Sequence, residues 1–261
     1  MLFAIFLSEY TLSKDITPVS HNIKNESKNT TSDKLLLSIN DEELYKKALE
    51  AINQGLKQKA KTYFQELLKR ESTNQHQSEL KKGIYYYQLG LIDNDKKLLE
   101  QAIPFIKKSI ALEKNKIKSD QLEVGSYYYM LGRIALANDK YQDAIDYFKI
   151  SSKTLEGNHD MSQSIINNFF YLALAYYYKE DYVFAQKNAE KSVALSLKIY
   201  GENHISTASS LGLLGKILYD SSKEKEALPI VIKAHTFFQK KYGEDYKTTR
   251  NLSGLLEKLK K

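Results

Sequence analysis

Four aromatic residues stand 42, 42 and 41 positions apart in this 261-residue chain: Tyr45, Tyr87, Tyr129 and Phe170. A regular row of rings offers broad apolar area, ring–ring contact and, from Tyr, a hydroxyl that can hydrogen-bond, which suits holding a segment of another molecule. Arg133, Tyr177 and Lys216 follow on the same stretches, and the Arg and Lys could pair with acidic groups of a ligand. A second row runs one residue earlier, through Leu44, Tyr86, Tyr128, Phe169 and Leu211. Adjacent residues on a helix point about 100° apart, so the two rows cannot both face one packing partner fully. Rings at helical spacing also fill cores, and both readings of the first row stay open on spacing alone.

Catalytic chemistry finds no comparable pattern. The histidines are His21, His76, His159, His204 and His235, and none falls at a metal-ligand spacing such as HExxH. There is no GxxxxGK[ST], no GxGxxG after a strand and no GxSxG. Zero Cys excludes disulfides and thiolate chemistry without deciding the compartment. The net charge of +7 is spread over many Lys with Asp or Glu nearby, which reads as a solvated helix surface rather than a nucleic-acid patch. A non-catalytic protein with no cofactor, no metal and no small-molecule substrate is expected.

The elements that must position the rings repeat. Small residues fall at Ala48, Gly90, Gly132, Ala173 and Gly215, and a second series at Ala60, Ala102, Ala144, Ala185 and Ala227. Both series step by 42, 42, 41 and 42, always 12 apart. Two registers locked over five units predict stacked αα-hairpins, with small residues where two helices cross closely. The shortage of Gly (11) and Pro (3) suits long helices. Asn40 is placed to cap a first helix over 41–54, with Gly55 at the turn to a second over 57–70, and Asp181 to cap the second helix of the fourth unit. Pro104 and Pro229 are expected near the first turn of their helices, where a missing N–H costs little.

These units resemble tetratricopeptide repeats: Leu131-Gly132, then Ala144, then Phe148. The longer period looks like the kinesin-light-chain class. So do AIPFIKKSI and ALPIVIKAH, which carry Pro104 and Pro229 two residues past the second-helix Ala, and the YGENH (200–204) and YGEDY (242–246) turns. The resemblance covers about 41–259. It implies an all-α, right-handed α-solenoid of about five hairpins, over 41–70, 78–117, 120–157, 161–199 and 204–241, with a capping helix at 245–259. It also implies that the first helices line a concave face and that the array serves as a scaffold or adaptor for a peptide or helix of a partner protein. That class often carries Asn mid-helix in L-N-N-L-A. Here Tyr129-Met130 and Phe170-Tyr171 stand there and Asn167-Asn168 come three residues early, so a greasier groove is expected. Expected contacts are Tyr45, Tyr87, Tyr129, Arg133, Phe170, Tyr177 and Lys216. An escort or secretion-type chaperone is the alternative, and a nucleic-acid-binding repeat protein a weaker one.

Residues 1–39 read as a flexible leader rich in Ser, Thr, Asn and Lys, with sequons at Asn25 and Asn29. The apolar run Leu2–Leu7 is too short to span a bilayer. It lacks a basic segment before it and a small-x-small cleavage site after it. It reads either as the tail of a signal that starts upstream or as an apolar end, leaving cytoplasmic and exported locations both open.

Overall fold

A computed structural model describes residues 38–73, 78–115, 121–155 and 162–260. Leu2–Leu7, His21, both sequons, His76 and His159 lie outside the described residues. Among the described residues there are eleven helices and no strand. They are α1 (Asp41–Asn53), α2 (Lys57–Thr73), α3 (Glu79–Asp93), α4 (Lys96–Lys114), α5 (Gln121–Ala137), α6 (Tyr141–Leu155), α7 (Ser162–Tyr178), α8 (Tyr182–Tyr200), α9 (Ile205–Asp220), α10 (Glu224–Tyr242) and α11 (Lys247–Leu259). They pair as hairpins α1–α2 through α9–α10, followed by α11. The chain divides into two compact units, residues 1–109 and 110–261. No described helix is long and apolar enough to cross a membrane.

The small residues do what the register predicts. All five second-helix alanines are fully buried. A Cβ on Gly90 would lie 2.7 Å from Leu99 Cγ, one on Gly132 2.7 Å from Phe148 Cδ1, and one on Gly215 2.5 Å from Val231 Cγ2. Each is closer than carbon atoms can approach, so these three crossings require glycine unless the facing side chain shifts.

The turns repeat as well. A left-handed residue closes each hairpin: Gly55 (φ 72°), Asn94 (φ 52°), Asp139 (φ 60°), Glu180 (φ 61°) and Ser222 (φ 59°). The next N–H reaches five residues back, as in Leu56→Ala51 (2.8 Å), Lys140→Ala135 (2.9 Å) and Asp181→Tyr176 (3.0 Å), satisfying a carbonyl left over at the helix end. The left-handed residue follows the small residue by seven in four hairpins and by four in the second, so α4 starts early. This corrects the expected place of the prolines. Pro104 lies eight residues past the start of α4 and Pro229 five past the start of α10, both inside their helices. Both are exposed, so a backbone carbonyl left without its donor one turn earlier can turn to water.

In the first unit the core is aromatic. Tyr45 meets Phe64 edge-on at 6.0 Å, and Tyr85 lies 6.2 Å and 6.3 Å from these two rings. Arg70 on α2 ties down the start of α1 through the Ile39 carbonyl (2.9 Å) and Asp41 (3.0 Å), while pairing with Glu66 (2.9 Å) on its own helix. Asn40 caps α1, accepting from the Glu43 N–H at 2.9 Å.

In the second unit the hairpins are joined by buried serines. Ser151 Oγ on α6 donates to the Gly125 carbonyl (2.7 Å) and accepts from Asn168 Nδ2 of α7 (3.0 Å). One repeat on, Ser192 Oγ on α8 donates to the Ile166 carbonyl (3.2 Å) and meets Ser210 of α9 (2.8 Å). At the next junction Ala234 and Leu252 hold the equivalent places. There α11 closes the array by packing Leu252 and Leu255 against Ala208, Val231, Ala234 and Phe238.

Candidate functional site

The first helices of the second unit, α5, α7 and α9, carry the surviving part of the aromatic row. On α7, Phe170, Leu174 and Tyr177 fall at i, i+4 and i+7, one stripe along one face. All three are half-buried. On α9, exposed Lys216 stands 42 positions after Leu174.

Polar chemistry on this stripe is concentrated where α7 meets α9. Tyr177 donates its hydroxyl proton to Asp220 at 2.6 Å, and Lys216 also pairs with Asp220. The Lys216 ammonium lies 5.7 Å from the Tyr177 ring and 5.8 Å from the Tyr219 ring. Partial burial and the bond to Asp220 hold the Tyr177 hydroxyl above the ordinary tyrosine value, with Lys216 opposing. Burial works against the Lys216 ammonium, but Asp220 and Tyr177 outweigh it and its pKa is raised. Lys216 is therefore a cation already shared with a carboxylate, able to offer a further N–H to a ligand.

Arg133 on α5 is only 7% exposed. Its guanidinium lies over the Tyr171 ring, 4.1 Å from the centroid, and Nη1 donates to the Tyr129 hydroxyl at 3.4 Å. It is a packed cation held by ring faces rather than a projecting one.

The expected ladder is not open. Tyr45, Tyr87 and Tyr129 are 6%, 0% and 0% exposed and belong to the core. Tyr129 is enclosed by Phe148 (5.8 Å) of its own hairpin and Tyr171 (5.9 Å) of the next. The physical reason is the residue opposite. Nineteen positions after Tyr45, Tyr87 and Tyr129 the second helices carry Phe64, Ile106 and Phe148, whereas nineteen after Phe170 stands Ala189. A large residue across the hairpin closes over the ring; an alanine leaves it half open. The structure thus leaves Phe170 and Tyr177 half-open on α7, brings Lys216 to Tyr177, and packs Arg133 against Tyr171 and Tyr129.

The serine staples were missed by the reading of motifs, though a signal was present: Ser151 and Ser192 are 41 apart, and Asn168 and Ser210 are 42 apart. His204 is structural in its contacts. Its Nδ1 accepts from the Ser206 N–H (3.2 Å), capping α9, and its ring stacks on Tyr200 at 4.3 Å. One repeat on, Tyr246 stacks on Tyr242 at 4.6 Å. No group of three or more potential metal ligands occurs among the described residues.

Comparison with known proteins agrees with this architecture. Family models described as tetratricopeptide repeat match residues 163–240 and residues 84–116 and 125–149. No curated protein sequence matches the chain. The kinesin light chain nearly identical TPR-like repeats of Podosopora anserina share 15% identity at a TM-score of 0.54, over 77% of this chain and 96% of theirs. PlcR of Bacillus thuringiensis, in complex with the peptide PapR7 and DNA, gives a TM-score of 0.61 at 17% identity over 88% of this chain and 75% of PlcR. A Rap protein complexed with Competence and Sporulation Factor gives 0.61 at 15% identity over 90% of this chain and 62% of Rap. At these identities the likeness concerns the fold. With five hairpins in a 42-residue register, glycine or alanine at every crossing and family models matched in both units, the chain belongs to the tetratricopeptide-repeat family.

Proposed function

We propose that the chain is a protein-interaction scaffold that binds a peptide or helix of a partner protein along the first-helix face of its second unit. Phe170, Leu174 and Tyr177 supply apolar contact. Lys216, and Arg133 packed against Tyr171 and Tyr129, supply the positive charge that favours a segment carrying an acidic residue. The observation that carries this reading is the half-open stripe itself: aromatic side chains at i and i+7 on one helix, beside a cation on the next. The peptide complex of PlcR supports the reading by analogy of fold. Tyr45, Tyr87 and Tyr129 act in this scheme as the packing that holds the first helices in place.

The test is capture from a native extract by wild type and by a Phe170→Ala, Tyr177→Ala, Lys216→Ala variant, after circular dichroism shows equal helicity. A partner held by wild type and lost by the variant supports the reading. Equal capture by both sinks it. A captured partner that proves to be nucleic acid, released steeply by salt, would move the function to the Lys-rich surface.

A further inference from the structure

A second site lies on another face of α9. Leu211 and Lys216 are five residues apart, about 140° around the helix, so the two sites do not overlap. A cleft of about 520 Å³ opens between α8, α9 and α10, within the range of ligand pockets. Its apolar lining comes from Leu197, Leu211 and Phe237, and its cations from Lys233, Lys240 and Lys241. Glu202 is the one carboxylate in the lining, against three ammonium groups.

The repeat register says what is missing from this cleft. Leu211 occupies the place held by Tyr86, Tyr128 and Phe169 in the second, third and fourth hairpins. In each of those the ring is engaged by the second helix of the hairpin or by a cation. Tyr86 stacks on Phe105 at 5.7 Å. Tyr128 lies 6.2 Å from Tyr147 and under Lys114 at 5.4 Å. Phe169 lies under Lys191 at 5.1 Å. Lys233 comes 42 positions after Lys191, as Leu211 comes 42 after Phe169. The fifth hairpin therefore keeps the cation and lacks the ring. Among the described residues no ion pair or ring contact engages Lys233 or Lys240. Lys241 lies over Phe237 at 5.4 Å. Its charge reaches the rim: burial and then Lys241 hold the His204 imidazole below its ordinary value.

We propose that this cleft receives an aromatic side chain presented by a partner protein on an acidic segment. The ring takes the place that Tyr86, Tyr128 and Phe169 fill in the second, third and fourth hairpins, and flanking carboxylates meet Lys233, Lys240 and Lys241. Apolar area would supply the anchor, and the ammonium groups, of which Lys233 and Lys240 have no ion pair or ring contact, would select for acidic neighbours.

Three fluorescein-labelled synthetic peptides test this by anisotropy with the full chain: one with Phe between pairs of Asp, one with Ala in place of Phe, and one with Asn in place of Asp. The acidic aromatic peptide should bind about tenfold or more tighter than either control. Leu211→Phe, which refills the cleft from within, should abolish that binding. The exposed pair Lys233→Glu with Lys240→Glu should weaken it by a similar factor while leaving helicity unchanged, so the test does not hang on the folding of one variant. The Phe170→Ala, Tyr177→Ala, Lys216→Ala variant should bind the peptide as wild type does, which separates this site from the α7 stripe. No binding to wild type, equal binding by the charge-reversed variant, or tighter binding of a single-stranded oligonucleotide would each overturn the proposal.

Discussion

The third and fourth hairpins carry nearly the same instructions and differ in what they expose to water at one position. Tyr129 and Phe170 occupy one register position, three residues before the small residue of the first helix. Tyr129 is fully buried and Phe170 is half-exposed. The difference is not in the rings or in the helices that carry them. It lies across the hairpin, where Phe148 closes on Tyr129 and Ala189 occupies the equivalent place opposite Phe170. A repeat position sets the direction in which a side chain points. The size of its neighbour on the other helix decides whether that direction ends in core or in an open stripe.

The comparison breaks first at Tyr129. Replacing it by Ala removes a ring enclosed by Phe148 and Tyr171 and should cost about 3–5 kcal/mol, the range for deleting a buried aromatic side chain. Arg133 would lose the Tyr129 hydroxyl as well. Urea unfolding monitored by circular dichroism would show the fall in midpoint. A cost below about 1 kcal/mol would mean that Tyr129 is not core and would restore the open ladder.

The crossing itself comes next. Ala144 is fully buried opposite Gly132, whose missing Cβ would already collide with Phe148. Ala144→Leu should overpack this crossing and cost about 1–3 kcal/mol. Unchanged thermal stability would contradict the register on which both hairpins are compared.

Most of the fold was legible because it depends on positions within one helix or one turn. Glycine and alanine at the crossings, Gly55 at a left-handed turn, and Asn40 and Asp181 as caps are local requirements, and the structure meets each of them. Both prolines were misplaced because each second helix starts three or more residues before its small Ala, which puts a Pro two residues further on beyond the first turn; the early turn at Asn94 takes Pro104 three residues deeper still, a shift that the unchanged spacing between Gly90 and Ala102 conceals. The site was half legible. Spacing put Phe170, Tyr177 and Lys216 on the first helices, where they are half-buried or exposed, but the burial of Tyr45, Tyr87 and Tyr129 depends on a second helix. It could be read only by setting the first-helix row beside Phe64, Ile106, Phe148 and Ala189. The cleft beside Leu211 escaped notice for the same reason, since it is a difference between registers rather than a motif.

The serine staples sharpen the comparison at the level of single hydrogen bonds. Ser192 bridges the Ile166 carbonyl and Ser210, joining the fourth hairpin to the fifth. Ser192→Ala should cost about 1 kcal/mol, with the upper end near 3 because the groups left behind are buried. Its equivalent at the last junction is already Ala234, so introducing Ser there should gain nothing. A neutral Ser192→Ala would show that the staple contributes register without net stability.

Alkaline pH separates the units by charge. Burial raises the Tyr85 hydroxyl in the first unit, with Asp41 and Glu71 adding to it, and burial with the bond to Asp220 raises Tyr177 in the second. Both groups stay protonated in the fold at a pH where the unfolded chain has begun to lose those protons. Their stabilisation is complete below the ordinary value of 10.0 and declines as pH rises beyond it towards the folded values. The urea midpoint should therefore drop above that pH, and Tyr85→Phe should flatten the drop. A midpoint that rises on the alkaline side would contradict the burial of Tyr85.

The smallest effect on stability should come from Phe170→Ala. The ring is half in water and has Ala189 opposite, so removing it opens no closed cavity; the cost should be about 1 kcal/mol or less, set by the apolar area it covers. Its effect on binding should be far larger than its effect on folding, because a half-open ring gains its remaining burial only when a ligand covers it. Tyr129→Ala should show the reverse order, a large loss of stability with binding reduced only through the fraction unfolded. If Phe170→Ala costs as much stability as Tyr129→Ala, the ring is core in both hairpins and Ala189 does not distinguish them. If it costs neither stability nor affinity, the stripe on α7 is surface without function, and the cleft beside Leu211 is left as the ligand site of the second unit.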